Sequence, residues 1–480
     1  MVDKKMSKMK TVAVFGGGSA GFSAARAAKE FGARVLFFMG DDADHASLCI
    51  NAGCMPSKAM FEPIDAMHRA KRHGWLEVKP VRPKKFLSQI IAWKDQQIAG
   101  FNSHRQQEIR DLQSNEFTII RATARFVDSH RVRSQNETYT FDAAIIATGS
   151  INHIPPFVST SIGSDDLWTS NEILHNTRRP KSMIVLGAGP VALEFSLRYA
   201  RLGCAVTVVS RSPIMPRFPL KYGERLREIY EREGVRMMPG RKIVRFARVA
   251  DGFFNVEIEG TEGSETLSAE RVLLATGRRP ALRNLNLEVL GLETDERGRL
   301  RVGDDMRVQD SENIFAAGDV VGQRMVVHHA HIEASIAGEN AVKDGNRKWA
   351  RRSNVQVVFS DPEFAFAGQS PETAEKAGHK IVTATAESRD IGKLHLAGDD
   401  FGFGEFVANA NDGRLLGAGL LCDDAANLIH LPAYAIDHQH TIHTLIDGEY
   451  YHPTKIEIVS EIGDALCRAL GGTPFYRATE

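Results

Sequence analysis

The stretch Thr11-Val-Ala-Val-Phe15, followed by Gly16-Gly-Gly18-Ser-Ala-Gly21, decides the fold of this 480-residue chain. The first five residues predict a buried strand, and residues 22–31 have helical character. In this order the first glycine permits a tight turn, the second lets the backbone approach a pyrophosphate, and the third lets the helix pack on the strand. The N-terminus of the helix then faces the phosphates. The stretch therefore predicts a strand-turn-helix unit that binds a dinucleotide.

A second copy of this unit begins at Met183. Met183-Ile-Val-Leu186 leads into Gly187-Ala-Gly189-Pro-Val-Ala192 and then into helical residues 193–202, with Ala192 at the third position of the pattern. A single motif of this kind is a weak indication, because its specificity depends on the structural context. Two copies, each with a strand before and a helix after, favour two dinucleotide sites over two unrelated glycine turns.

Neither copy has the carboxylate that ordinarily binds a ribose 2′-hydroxyl at the end of the next strand. Met39 and Ser210 occupy those positions. Asp41 and Asp42 lie just beyond Met39 and are the candidates to replace the missing acid at the first site.

Two arginines, Arg211 and Arg217, follow the second strand end. A guanidinium group forms paired hydrogen bonds with phosphate oxygens, so these residues suit a 2′-phosphate better than a bare ribose. The sequence therefore favours NADP(H) at the second site. The alternative is that both arginines are solvated surface side chains.

The order of further strands predicts the domain organisation. A strand at residues 270–276 ends in Ala275-Thr276-Gly277, which echoes Ala147-Thr148-Gly149, and a later strand ends in Gly318-Asp319 before a helix at residues 325–342. The first nucleotide domain is thus expected to resume after an insertion. From about Lys348 the pattern changes to alternating strands with helices near residues 426–437 and 455–470, which indicates an α+β domain. The expected segments are 1–150, 151–274, 275–347 and 348–480.

The composition is that of an ordinary globular protein, with 43% hydrophobic and 25% charged residues. Sixty basic residues balance sixty acidic ones, so no overall positive field favours nucleic acid or an anionic membrane. No run approaches the roughly 18 apolar residues of a membrane helix, and residues 1–10 do not resemble a secretory signal. We expect a cytoplasmic protein that acts on a small molecule, without nucleic-acid or membrane partners.

Cys49 and Cys54 stand out among the five cysteines, which are too few for a secreted disulfide framework. In a regular helix their Cα atoms would be roughly 8.6 Å apart, beyond disulfide reach. A bridge therefore requires a distorted turn, which Gly53 and Pro56 permit, and a following helix N-terminus favours a thiolate. We interpret the pair as redox-active. The alternatives are two buried cysteines or half a metal site, but no zinc spacing is present and we expect no metal.

These motifs together resemble the pyridine nucleotide-disulfide oxidoreductases, the family of dihydrolipoamide dehydrogenase and glutathione reductase. The resemblance covers nearly the whole chain. Its cysteine segment is matched by Cys49-Ile-Asn-Ala-Gly-Cys54-Met-Pro-Ser-Lys58, and its terminal motif by His452-Pro453-Thr454-Lys-Ile-Glu457. The two glycine motifs, the two Ala-Thr-Gly turns and Gly318-Asp319 also match.

The resemblance implies an α/β fold with two Rossmann-like dinucleotide-binding domains, for FAD and NAD(P), and a C-terminal α+β dimerisation domain. FAD would lie on the first motif, in a domain made of residues 1–150 and 275–347, and NAD(P) on the second, at residues 151–274. The candidate cofactor-binding residues, taken from the residue patterns and from this resemblance together, are Gly16, Gly18, Gly21, Asp41, Lys58, Ala147, Thr148, Gly149, Gly187, Gly189, Ala192, Arg211, Arg217, Gly277, Gly318 and Asp319.

The resemblance also implies the catalytic roles. Cys54 matches the cysteine that stacks on the flavin as a thiolate, and Cys49 the one that exchanges with substrate. Lys58 and Glu194 match a pair beside the flavin, where an ammonium group stabilises the electron-rich reduced ring; the alternative is an ordinary helix-surface pair.

His452 and Glu457 match the acid-base dyad of the family. The histidine moves the proton of the exchanging thiol, and the glutamate fixes its tautomer and raises its basicity. In this family the dyad reaches the cysteines of the other subunit, which implies an obligatory homodimer.

Three positions depart from the family pattern. Met39 replaces the acid at the flavin ribose, Ala46-Ser47 replaces a Gly-Gly before the first cysteine, and Pro190 stands where glutathione reductase has a gating tyrosine.

The substrate is predicted to be a lipoyl-type dithiol, because Met325-Val-Val-His328-His329-Ala330 resembles the corresponding segment of dihydrolipoamide dehydrogenase. The alternative is an NADPH-dependent reductase of glutathione or another small disulfide, which Arg211 and Arg217 favour. Mercuric reductase and a thioredoxin reductase with a C-terminal relay are disfavoured, because residues 468–480 contain no cysteine. A flavoprotein redox sensor without disulfide turnover is a remote alternative.

Overall fold

The structure of the protein is a computed structural model, whose strands extend from Thr11 to Cys422. The structure describes residues 9–41, 47–72, 86–158, 167–249, 252–261, 263–343 and 345–472. Its strands are β1 Thr11–Phe15, β2 Arg34–Phe38, β3 Phe117–Ile120, β4 Arg125–Asp128, β5 Arg131–Ser134, β6 Glu137–Thr140, β7 Ala143–Ile146, β8 Ser150–Asn152, β9 Ser182–Leu186, β10 Ala205–Ser210, β11 Arg236–Pro239, β12 Lys242–Arg248, β13 Phe254–Gly260, β14 Gly263–Ala269, β15 Arg271–Leu274, β16 Arg278–Pro280, β17 Ile314–Ala316, β18 Gln356–Val358, β19 Glu363–Gly368, β20 Ile381–Glu387, β21 Phe403–Asn409 and β22 Leu415–Cys422.

The α-helices lie between some of these strands and after the last of them. They are α1 Ser19–Glu30, α2 Leu48–Asn51, α3 Cys54–Arg72, α4 Phe86–Leu112, α5 Pro190–Arg201, α6 Leu220–Arg232, α7 Val327–Lys343, α8 Pro371–Lys376, α9 Gly392–Leu396, α10 Ala425–Leu428, α11 His430–Asp437, α12 Ile442–Ile446 and α13 Glu457–Ala469.

The first sheet is parallel, with strand order β17-β7-β1-β2-β3. Val12, Ala13 and Val14 are fully buried, as the continuous apolar run of a strand covered on both faces requires. Strand β17 comes from the segment after the second sheet and pairs with β7, so the chain returns to the first sheet after an insertion.

The second sheet is also parallel and has the order β11-β10-β9-β15. Helix α5 follows β9 through the second glycine turn, as α1 follows β1 through the first. This repetition confirms the prediction of two Rossmann-like units. Strands β12, β13 and β14 form an antiparallel sheet next to it, and β8 pairs with β16.

The last third of the described chain is an α+β domain built on the antiparallel sheet β18-β19-β22-β21-β20. Helix α13 covers this sheet with a buried apolar face that includes Ile458, Ile462 and Leu466. The helix expected at residues 426–437 is instead two helices, α10 and α11. Pro432 has no backbone N–H to donate to Leu428, so a continuous helix would lack a hydrogen bond there.

Across the described segments, no helix combines the length and the apolar character needed to cross a membrane.

Candidate active site

A cavity of about 860 Å³ lies where the first glycine turn, the cysteine segment and the N-terminus of α5 meet. It brings together residues from distant parts of the chain. The predicted site residues on its wall are Gly16, Gly18, Cys49, Cys54, Lys58, Ala147, Thr148, Gly149, Glu194 and Asp319. Met39 and Pro190, two of the departures from the family pattern, line it as well.

The first glycine turn is packed too closely for side chains. Gly16 has a φ of +110°, and a Cβ atom there would lie 2.3 Å from the carbonyl oxygen of Ala147. A Cβ atom on Gly21 would lie 1.7 Å from the carbonyl oxygen of Gly16. Gly18 is the N-cap of α1, so the free N–H groups of this helix begin at the cavity wall.

The second glycine turn has the same geometry, with one informative exception. Gly187 has a φ of +138°, and a Cβ atom there would lie 2.3 Å from the carbonyl oxygen of Ala275. Ala192 is fully buried against the core. Gly189 has a φ of −93°, and among the described residues nothing lies within 4 Å of a Cβ atom placed there. Contacts within the described protein therefore do not explain why a glycine stands at position 189. The close approach of a bound nucleotide would explain it.

The wall of the cavity carries polar groups that suit a dinucleotide. The hydroxyl of Thr148 is buried and has no hydrogen-bond partner among the described residues. Asp319 accepts a hydrogen bond from the hydroxyl of Ser150 at 2.6 Å, and burial raises the pKa of this carboxyl group. The size of the cavity, the glycine turn and these groups fit FAD. Gly318 precedes Asp319 with a φ of +82°, and its N–H donates to the Glu333 carboxylate at 2.8 Å.

The two cysteines lie on either side of a break between two helices. Cys49 is in α2, which ends at Asn51, and Cys54 is the first residue of α3. Both are free thiols in this structure. The hydrogen bond from Cys49 is the main cause that lowers the pKa of Cys54 to about 7, and Lys58 contributes in the same direction. The pKa of Cys49 is raised by its interaction with Cys54 and by burial. These shifts favour a thiolate at Cys54 over one at Cys49.

Lys58 and Glu194 form an ion pair beside the cysteines, with Nζ and Oε2 2.7 Å apart. Lys58 lies one turn after Cys54 on α3, and Glu194 lies in the first turns of α5. The glutamate is 6% exposed, so this pair is not an ordinary helix-surface pair.

His452 and Glu457 form a hydrogen bond between Nδ1 and Oε1 of 2.6 Å. The other carboxylate oxygen accepts the N–H of Thr454 at 2.8 Å. Burial opposes ionisation of Glu457, but its bonds with His452 and Thr454 outweigh burial and lower the pKa of Glu457. The imidazole side chain is 77% exposed, and neither residue lines the described cavity.

The remaining predicted residues lie outside the cavity wall. Asp41 is exposed and accepts the N–H of Thr123 at 3.2 Å, while Asp42 is outside the described residues. Arg211 and Arg217 are exposed after the end of β10. Burial lowers the pKa of Arg324, and the nearby charge of Arg217 adds to this effect.

Ser150 and Arg278 are two further residues of the site that the sequence motifs did not indicate. Arg278 lines the cavity and donates to the hydroxyl and carbonyl oxygens of Ser150, at 2.8 and 2.9 Å. Both residues directly follow an Ala-Thr-Gly turn, so the position after each turn was the available signal.

This combination of two dinucleotide-binding units, a dithiol and a flavin-sized cavity defines the class of flavoprotein disulfide oxidoreductases. The chain belongs to the pyridine nucleotide-disulphide oxidoreductase family: that family description matches residues 10–334, and its dimerisation domain matches residues 355–462. FAD and NAD(P)H are accordingly its cofactors.

Similar curated proteins carry two different names. The chain is 30% identical over 457 residues to dihydrolipoyl dehydrogenase of Thermus scotoductus, covering 94% of this chain and 96% of the relative. It is 31% identical to the dihydrolipoyl dehydrogenase of Haloferax volcanii, covering 95% and 96%. It is also 29% identical to mercuric reductase of Acidithiobacillus ferrooxidans, covering 93% and 80%.

Solved structures show the same fold. LpdA of Mycobacterium tuberculosis superposes with a TM-score of 0.84 at 22% identity, covering 95% of this chain and 99% of that chain. The HOCl-induced flavoprotein disulfide reductase RclA of Escherichia coli has a TM-score of 0.81 at 23% identity, with the same coverage.

Proposed function

We propose that this enzyme passes two electrons between NAD(P)H and a substrate disulfide through FAD and the Cys49/Cys54 pair. The observation that carries the proposal is the dithiol on the wall of the flavin-sized cavity, with Cys54 as the thiolate. FAD supplies the two-electron exchange between the nucleotide and the dithiol when it is bound. We propose that FAD and NAD(P)H are held by the cofactor-binding residues named above from the sequence. We also propose that the domains meet between residues 150 and 151, 274 and 275, and 347 and 348.

The exchange chemistry follows from the two thiols. We propose that the Cys49 thiol loses its proton to His452 of the partner subunit as its sulfur attacks the substrate disulfide. This forms a mixed disulfide and releases the first substrate thiolate, which takes up that proton from the histidine. Cys54 then attacks the Cys49 sulfur, which releases the second thiolate and leaves a Cys49–Cys54 disulfide. Each substrate disulfide consumes two electrons and two protons, and the reverse sequence oxidises a dithiol.

The proton transfers are assigned to His452. With Nδ1 facing Glu457, the Nε2 atom is the one available to a thiol. We propose that it serves the cysteines of the other subunit, because the imidazole is exposed and lies outside the cavity of its own chain. The matched dimerisation domain supports a homodimer.

The first substrate we propose is dihydrolipoamide, bound to a protein or free. Support comes from the Met325–Ala330 segment and from the names of relatives that align over nearly the whole chain. The second candidate is a small disulfide reduced by NADPH, which Arg211 and Arg217 favour through their spacing after β10.

The experiment that separates these functions is steady-state turnover with NADH and NADPH against lipoamide, glutathione disulfide and a quinone. Lipoamide turnover at least tenfold above glutathione disulfide supports the first candidate. Preference for glutathione disulfide with NADPH supports the second. Turnover of the quinone alone, unchanged in Cys49→Ser, would exclude both.

A further inference from the structure

Helices α3 and α5 face each other through a series of charged and aromatic pairs. Lys58 meets Glu194 at 2.7 Å, and the ring centroids of Phe61 and Phe195 are 5.1 Å apart. Farther along, Asp65 accepts hydrogen bonds from Arg198. This series joins the Cys54 helix to the helix that begins at the second glycine turn.

A residue of the C-terminal domain inserts into this contact. Phe359, directly after β18, has its N–H hydrogen-bonded to Oε1 of Glu194 at 3.1 Å. Its carbonyl oxygen accepts from Nη1 of Arg198 at 2.5 Å. Glu194 and Arg198 are one turn apart on α5, so this helix binds both the backbone N–H and the carbonyl oxygen of Phe359.

Arg198 is a strong anchor because it is buried and fully engaged. Only 3% of the residue is exposed, and its guanidinium binds both carboxylate oxygens of Asp65 at 2.7–3.1 Å. Arg201 also donates to Asp65, at 2.9 Å, and pairs with Asp361 at 2.8 Å and Glu233 at 2.8 Å. A buried network whose members are all hydrogen-bonded is rigid, since any displacement leaves a charge unpaired.

The ring of Phe359 is the part that reaches the active site. It lines the cavity, and the Lys58 ammonium lies 4.4 Å from its centroid. At this distance an ammonium ion is attracted to an aromatic face.

From this arrangement we propose that Phe359 is a positioning residue: anchored by Glu194 and Arg198, its ring fixes Lys58 near Cys54 and thereby favours the Cys54 thiolate. The C-terminal domain thus contributes to the active site of its own chain, besides the proposed contribution of His452 to the other subunit. The inference rests on the proposed function only in assigning the thiolate a role in disulfide exchange.

The test measures the iodoacetamide alkylation rate of Cys54 against pH in reduced holoenzyme carrying Cys49→Ser. This background leaves Cys54 as the reactive thiol, because Cys204, Cys422 and Cys467 are buried. We expect Phe359→Leu to shift the profile to higher pH and to slow alkylation at pH 7 about threefold. Phe359→Tyr keeps an aromatic face and should stay within about 1.5-fold of the parent.

The matched control is Phe218→Leu. Phe218 packs on Phe364 and Phe366 with ring centroids 4.8 and 5.7 Å apart. The Phe218→Leu substitution therefore removes a ring from the same domain contact without altering the surroundings of Lys58. It should leave the alkylation profile unchanged. Equal profiles for Phe359→Leu and the parent, or an equal shift in Phe218→Leu, would overturn the proposal.

A second variant tests the anchor and covers the case in which Phe359→Leu does not fold. Arg198→Lys cannot hold Asp65 with two bonds and the Phe359 carbonyl together, so it should shift the profile in the same direction. Arg225→Lys, which alters an arginine bound to the carbonyl of Phe401, is its control. An unshifted Arg198→Lys profile contradicts the anchor. Alkylation needs no disulfide substrate, so these results do not depend on which disulfide is turned over.

Discussion

At the scale of single residues, the chemistry depends on how two neighbouring thiols divide one charge. The hydrogen bond from Cys49 stabilises a thiolate on Cys54, and the same bond makes ionisation of Cys49 unfavourable. Lys58 adds a positive charge near Cys54, and Glu194 limits its effect. These shifts favour a thiolate on Cys54 near neutral pH, which suits its proposed attack on the Cys49 sulfur, whereas the first attack by Cys49 needs a base to take its proton.

The first prediction concerns this hydrogen bond. Cys49→Ala removes the donor, so the pKa of Cys54 should rise from about 7 towards the value of an ordinary thiol. The thiolate fraction at pH 7, and with it the iodoacetamide alkylation rate, should fall by about fivefold or more. Cys49→Ser keeps a hydroxyl donor and should retain most of the lowering. Identical pH profiles for the alanine and serine variants would contradict the assignment.

The second prediction concerns the arginines after β10. A charge-assisted contact with a 2′-phosphate contributes about 1.5 to 3 kcal/mol. Arg211→Ala should therefore lower kcat/KM for NADPH by roughly ten- to a hundred-fold and leave that for NADH nearly unchanged. Arg227→Ala alters an exposed arginine on α6 that pairs with Glu231 and is the control. A wild-type enzyme that prefers NADH tenfold would contradict the idea.

At the scale of elements, the two strand-turn-helix units are the proposed binding sites of the dinucleotides, and their glycines serve different purposes. Gly16 and Gly187 must be glycines because another part of the backbone passes close to each of them. A Cβ atom at either position would clash with that backbone. Gly189 adopts a backbone conformation open to any residue and has free space around it. Its small size therefore matters only when a nucleotide lies against it.

The third prediction uses this difference. Gly189→Ala should leave the thermal midpoint within about 2 °C of the wild type, because the folded chain has room for the methyl group. The KM for the nicotinamide nucleotide should rise by about tenfold or more, with the flavin content unchanged. Gly100→Ala, also in open space, is the control and should leave KM unaltered. An unaltered KM in Gly189→Ala would contradict binding of the nicotinamide nucleotide against this turn.

The elements also show what the sequence could and could not predict. The glycine turns, the Cys-x4-Cys segment and the His452/Glu457 pair are local patterns, so their residues could be identified without coordinates. The bond between Ser150 and Asp319 and the contact of Phe359 with Lys58 join remote segments, and no spacing along the chain indicates them. The burial of Arg198 depends on Asp65 and on the Phe359 carbonyl, two partners from remote segments.

At the scale of the whole molecule, the two proposed catalytic pairs belong to different regions. The dithiol lies in the cavity between the two nucleotide-binding units, whereas the exposed imidazole of His452 precedes α13 in the C-terminal domain. A symmetric dimer allows each C-terminal domain to serve the cavity of the other chain. Turnover would then require two chains, and each dimer would have two composite sites.

The most direct test of this account is complementation between two inactive variants. Cys49→Ser lacks the exchanging thiol, and His452→Gln should lose about 10²- to 10⁴-fold in thiol exchange. After demonstrated subunit exchange in an equal mixture, half of the dimers are mixed, and each has one site with both Cys49 and the partner subunit's His452 intact. We predict recovery of about a quarter of the wild-type disulfide turnover. A mixture that remains as inactive as its components would contradict a site shared between two chains.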